Sequence, residues 1–206
     1  MPKGSAELTS ARKTEIINAC EKLYQTMSFK EITIKEIGAA TSFTRTSIYN
    51  YFQTKEEIFL ALLQREYELW IASLKGMMER CRRMSVDEFA GEMARSLEER
   101  AQLLKIMSMN HYDMEESSRP ERLTEFKVVY GEALRVVRAC LTQYFPQMTD
   151  GDKQDFIYTF FPFLFGVYPY AVVTEKQRAA MDGAKVNYVY LTIYEMTASC
   201  IRKLLK

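Results

Sequence analysis

Residues Thr33 to Glu57 read TIKEIGAATSFTRTSIYNYFQTKEE. Thr33 with Glu36 has the spacing of a capping box, in which the threonine oxygen takes a free N–H of the first turn and the glutamate reaches back. Ile34, Ile37 and Ala40 form a short apolar stripe that Thr41 and Ser42 interrupt. A second short helix is expected from about Thr44 to Tyr51, burying Ile48 and Phe52. Thr54 and Glu57 form another capping box that opens a third helix. Two short helices joined by a turn of three or four residues, the second rich in Arg, Thr, Ser and Tyr, suit a recognition helix in a DNA major groove.

Upstream, Met1 to Leu8 reads as a loose arm, followed by a helix from Thr9 or Ser10 to Met27. Ile16, Ile17, Cys20, Leu23, Tyr24 and Met27 repeat there at helical spacing. Downstream, Ile58, Phe59, Leu62, Leu63, Trp70 and Leu74 mark a long helix lasting to about Arg83. Ser85 with Glu88 opens the next helix, and Leu97 to Tyr112 is helical before a loop at Asp113 to Pro120. A further helix ends at Pro146, and Asp152 to Val173 is expected to stay helical through Pro162 and Pro169, bent but not ended. A short helix from Thr174 to near Gly183 precedes a last one over Val186 to Leu205. YVYLTIY, Tyr188 to Tyr194, favours a strand by propensity. With no partner strand elsewhere and an apolar stripe continuing to Leu204, helix is the better reading. The fold class is therefore all-α.

The stretch from Ser47 to Glu57, SIYNYFQTKEE, resembles the signature of the TetR family of bacterial transcriptional regulators. Thr33 to Ile37 is similar to that family's second-helix opening, and Phe29 to its aromatic residue after helix 1. The resemblance is close from Thr9 to Leu63; beyond that only chain length and the helical pattern agree. Two positions depart from the family. Ser42 stands in the turn where Gly is usual, so the backbone there must avoid positive φ or bear a modest cost. Arg45-Thr46 replaces a Lys-Gly or Arg-Gly pair, which alters the expected base preference but not the fold.

The resemblance implies two domains: residues 1–55 as a three-helix DNA-binding domain, and 56–206 as a helical ligand-binding and dimerisation domain. It also implies a homodimer on a palindromic operator, released when a small molecule shifts the helix starting near Thr54. Half-sites about 34–36 Å apart make such a fit sensitive to small rotations. Arg45 is the candidate base reader, because a guanidinium donates two bonds to guanine. Thr46 is placed for a thymine methyl, and Tyr49 and Tyr51 for phosphates. Thr33, Thr44 and Lys55 sit at helix starts, where N–H groups favour an anion.

Composition neither announces nor forbids this reading. The 206 residues are 48% hydrophobic and 27% charged, with a net charge of +1. The first 60 residues are nearly balanced in charge, so DNA affinity must come from a few placed cations and from dimerisation. Cys20, Cys81, Cys140 and Cys200 lie far apart in apolar patterns and read as small buried hydrophobes of a reducing, cytoplasmic protein. Neither they nor the single histidine, His111, have metal-site spacing. No cofactor-binding loop is present, and an enzyme would have to be built around His111 alone. Phe156 to Thr174 lacks charge over nearly a membrane span. Its prolines, acidic flank and aromatic richness make it a buried helix instead.

Trp70, Met107, Met109, His111, Tyr112, Tyr130, Phe161, Phe165 and Tyr168 are amphipathic or adaptable side chains spread over several helices. As a set they are candidates for a ligand pocket, with Trp70, Met107, His111, Tyr130, Phe161 and Phe165 at its centre. A C-terminal region that binds a partner and no ligand is the alternative.

Overall fold

The computed structural model describes residues 3–206, with the side chains of 3–5, 109 and 110 excepted. Met1, Pro2 and the Met109 side chain therefore lie outside the described residues. All regular structure among these residues is helical: α1 (Lys3–Tyr24), α2 (Ile34–Ala39), α3 (Arg45–Ile48), α4 (Lys55–Arg80), α5 (Val86–Glu98), α6 (Ala101–Glu116), α7 (Pro120–Tyr144), α8 (Asp150–Ala171), α9 (Glu175–Gly183) and α10 (Ile193–Leu204).

Two compact units divide the chain, Met1–Arg65 with Asn110–Val129, and Glu66–Met109 with Tyr130–Lys206. In the first, Ile16, Ile37, Ile48 and Ile58 are fully buried, and Phe52 and Phe59 nearly so. Phe59 meets Tyr24 edge-on at 5.0 Å and Phe29 at 4.7 Å. These six apolar anchors let α1, α2 and α3 share one core with the start of α4.

In the second unit, α10 packs mainly on α5 and also on α8. The core carries Trp70, Leu74, Phe89, Met93, Val137, Leu141, Phe160 and Leu164. Carbonyls at the end of α4 accept from side chains of α7. Tyr144 Oη donates to the Met77 and Cys81 carbonyls at 3.2 and 2.9 Å, and Gln143 Nε2 to those of Met78 and Cys81. No glycine cap is needed there. α8 continues through both Pro162 and Pro169 with Phe156, Phe160, Phe161 and Leu164 buried. No single helix is long and apolar enough to cross a membrane; only α8 and α9 together pass on length and composition, and they are bent by 80°.

Several expectations are corrected. α1 begins at Lys3, so most of the expected arm is helix, and it ends at Tyr24, short of Met27. α3 is a four-residue helix: Tyr49 keeps helical angles, but Asn50 and Tyr51 close on Ser47 and Ile48 in tighter i,i+3 bonds. α6 runs to Glu116, shrinking the expected loop to 117–119. The largest difference lies at 186–192, expected as helix and found without regular structure. Its β-branched and aromatic residues resist helix, and Thr192 with Glu195 forms a full capping box that starts α10 at Ile193. Cys20 and Cys140 are buried, with thiols pushed up to about 12 by burial. Cys81 is exposed and Cys200 only half-buried, against expectation.

Candidate nucleic-acid interface

α3 is built by its cap. Thr44 takes the Ser47 N–H at 3.3 Å, and its hydroxyl lies 3.0 Å from that of Ser47. Ile48 is the buried anchor of this turn, which leaves Arg45, Thr46 and Tyr49 on the opposite, exposed side. Arg45 Nη2 donates to Tyr49 Oη at 3.3 Å, with its guanidinium 6.0 Å from the tyrosine ring. The two side chains present a joined polar surface, one i,i+4 step apart.

The turn between α2 and α3 is held from α1. Glu15 Oε1 accepts the Ser42 N–H at 2.7 Å, a bond that holds the Glu15 carboxyl below its usual range. Lys185 is the sole non-glycine residue with positive φ among the described residues, so Ser42 meets the missing glycine by avoiding that region. Arg12, which sequence reasoning did not single out, joins α1 to the same region. Its Nη1 donates to Tyr51 Oη at 3.0 Å and its guanidinium sits 5.7 Å from the Phe43 ring. The signal was thin: one arginine on a helix whose apolar face drew the attention.

The candidate residues thus separate. Arg45, Thr46 and Tyr49 are exposed together on α3, with Thr44 exposed at its start. Thr33 is exposed at the start of α2, where it takes the Lys35 N–H at 3.2 Å and its hydroxyl bonds Glu36. Tyr51 is half-buried against Arg12. Lys55 is half-buried too, its Nζ 2.6 Å from the Phe29 carbonyl and 4.2 Å from that ring. The cap of α4 also differs from expectation: Thr54 takes the Glu57 N–H at 3.1 Å, but Glu57 takes the N–H of Gln53 and not of Thr54.

The candidate ligand residues separate as well. Trp70, Met107 and Phe161 are buried. Trp70 meets Tyr67 and Phe161 at 6.4 and 6.1 Å, and Tyr130 meets Tyr67 and Phe161 at 5.8 and 5.7 Å, all edge-on. Tyr67 Oη bonds the Met107 sulfur at 3.5 Å and Trp70 Nε1 donates to Ser96 at 3.1 Å, so this cluster closes on its own rings and polar tips. Phe165 is half-buried on α8. His111 belongs to the other unit and lies 3.2 Å from Glu115. Among the described residues no three His, Cys, Asp or Glu side chains stand together as a metal site.

A short capped helix over a buried isoleucine, with a second short helix before it and a long one after it, is a helix-turn-helix. The chain matches the family described as "Bacterial regulatory proteins, tetR family" over residues 16–62 and "Tetracyclin repressor-like, C-terminal domain" over 64–205. It belongs to the TetR family of transcriptional regulators and carries that family's DNA-binding helix-turn-helix. Among curated proteins, it is 27% identical over 70 residues to the HTH-type transcriptional regulator RutR of Escherichia coli K12, a match covering 34% of this chain and 33% of RutR. It is 26% identical over 80 residues to the HTH-type transcriptional repressor Rv1474c of Mycobacterium tuberculosis, covering 38% and 43%. The matches thus span well under half of those relatives. The fold is similar to that of the TetR-family repressor FadR of Thermus thermophilus, solved with lauroyl-CoA, at a TM-score of 0.62 and 17% identity, covering 94% of this chain and 93% of that one.

Proposed function

We propose that the protein is a repressor that binds a palindromic operator as a homodimer and lets go when a small molecule binds its C-terminal region. The carrying observation is the exposed set Arg45, Thr46 and Tyr49 on α3, set over the buried Ile48. Arg45 reads a guanine and Thr46 a neighbouring thymine methyl. Tyr49, Thr44 and Thr33 contact phosphates and fix the register. Tyr51 and Lys55 hold the support through Arg12 and Phe29.

The dimer forms through α8 and the stretch from Val186 through α10. α8 exposes Tyr158 and Tyr170 although its inner face is already buried in its own unit. A helix apolar on more than one face needs a second cover, and a partner copy supplies it. The bound lauroyl-CoA of FadR supports a small-molecule signal of some kind. The closed cluster around Trp70 favours the alternative, a partner-binding region without a ligand, unless a ligand binds elsewhere. The protein does no catalysis on this reading and works in the cytoplasm, where its DNA is.

The test begins with the DNA flanking the coding region, searched for an inverted repeat. Footprinting with the purified protein should protect both half-sites. Protection of no repeat, or of a single half-site by a monomer, would overturn the proposal.

A further inference from the structure

α3 is too short to fix its own direction. A helix of four residues cannot complete the hydrogen-bond ladder that stiffens a longer one, so its neighbours must orient it. Beneath it, Ile48 is fully buried. Beside it, α2 comes close at Gly38, where an added Cβ would meet the Arg45 N and Cα and Ile48 Cδ1, each at 3.5 Å. These are packing contacts. They hold α3 in place, but burial is non-directional and does not set how the helix is turned.

The directional ties come from α1, and they reach both ends of α3. Arg12 and Glu15 lie three residues apart on α1, a spacing that puts them on one face. Ahead of α3, Glu15 Oε1 accepts the Ser42 N–H at 2.7 Å, and the Arg12 guanidinium lies 5.7 Å from the Phe43 ring. Behind α3, Arg12 Nη1 donates to Tyr51 Oη at 3.0 Å. One half-buried guanidinium therefore bridges the entry to the short helix and its exit. A planar fork can donate from its edge while resting against a ring. A lysine ammonium, a compact charge on a flexible stem, cannot do both.

We propose that Arg12 is a specificity-determining positioning residue: it touches no base, and it fixes the angle at which α3 presents Arg45, Thr46 and Tyr49 to the groove. Base readout depends on that angle, because hydrogen bonds weaken steeply as they move off line. Attraction between cations and the phosphate backbone is far less particular about direction. Loosening the brace therefore harms discrimination at every base pair that α3 reads, whereas deleting one reading side chain harms one. The inference rests on α3 being the reading helix; it does not require Arg45 in particular to be the base reader.

The probes are the duplex that the parent chain selects from a random pool and the same duplex with its bases shuffled, each titrated with the full chain. Arg12→Lys keeps the charge, and Tyr51→Phe removes only the acceptor. Each should lower the ratio of selected to shuffled affinity about tenfold or more, from the lost charged hydrogen bond. The loss should spread over all the discriminated base pairs, and the double variant should lose no more than either single one. Affinity for the shuffled duplex and its salt slope should stay as in the parent. An Arg12→Lys protein with the parent's ratio overturns the inference; if Arg12→Met also lowers the salt slope by about one, Arg12 is a phosphate contact instead. An equal loss on both duplexes, additive losses in the double variant, or a lower denaturation midpoint with the ratio intact overturns it too. Arg45→Ala separates the two readings. If it keeps the ratio while Arg12→Lys loses it, the base reader is wrong and the positioning role stands; the reverse overturns the positioning role alone. Selection of no sequence overturns the reading helix, and the inference with it.

Discussion

Arg119 grips Glu57 with both its side chain and its backbone. Nε and Nη2 lie 2.6 and 2.8 Å from the two carboxylate oxygens, and the Arg119 N–H adds a bond at 3.2 Å. Gln53 N–H gives a fourth, at 2.8 Å. The Glu57 side chain is fully buried while that of Arg119 is 36% exposed. Beside this pair Thr54 donates to the Ser117 carbonyl at 3.1 Å. The first turn of α4, which follows the helix-turn-helix directly, is thus fastened to the α6–α7 connection.

Arg119→Met is expected to destabilise the protein by about 3 kcal/mol, because it leaves a buried carboxylate with no countercharge and only the backbone N–H groups of Gln53 and residue 119 for partners. Glu57→Gln should cost less, since the exposed side of Arg119 can be hydrated. Urea denaturation of both variants checks the order; equal costs would mean that the pair contributes as a surface bridge does.

The same pair sets an acid limit. Burial works against the Glu57 charge, but the bonds from Arg119 and Gln53 outweigh it and hold the carboxyl below its ordinary 4.5. A carboxyl depressed on folding stabilises fully above its unfolded value, and that contribution is lost as pH falls through the folded one. The stability gap between the parent and Glu57→Gln should therefore be constant above about pH 5 and shrink below pH 4.5. A gap independent of pH down to 3 would contradict the assignment.

Lys55→Met removes the tie to the Phe29 carbonyl and is expected to lower stability by about 1–2 kcal/mol. The slope of log K against log salt for DNA binding should stay unchanged, because the ammonium is spent on the fold. A slope smaller in magnitude by about one would return Lys55 to the phosphate contacts.

Phe163 and Val189 test the dimer. Phe163 is half-buried beside Phe160 on α8, and Val189 is 73% exposed. Val189→Glu costs the monomer little, so a shift to monomer by light scattering at micromolar concentration would come from the interface. Phe163→Asp should do the same with some loss of stability. Both variants remaining dimers would move the interface off this face.

The helix-turn-helix was legible because its signals are local. Thr33, Thr44 and Thr54 each announce a helix start within four residues, and the buried Ile37, Ile48 and Phe52 lie close together in sequence. Arg119 was not legible, since its partner lies 62 positions away and nothing around either residue marks the pairing. The sharing of the first unit by Asn110–Val129 was hidden for the same reason. At 186–192 two local signals competed. The stripe continuing to Leu204 argued for helix, but the Thr192–Glu195 box and the side chains of Tyr188, Val189 and Tyr190 won. Trp70, Tyr130 and Phe161 meet across α4, α7 and α8, but periodicity cannot say whether such rings line a space or fill it.

The central claim is that α3 reads DNA through Arg45, and operator titration of Arg45→Ala tests it most directly. Arg45 is exposed and, among the described residues, bonds only Tyr49, so the variant should keep the parent's denaturation midpoint. Its affinity for the operator should fall by about 1–3 kcal/mol per half-site, with discrimination lost at one base pair in each. Affinity for unrelated DNA should change far less. An Arg45→Ala protein that binds its operator as tightly and as selectively as the parent would contradict the account.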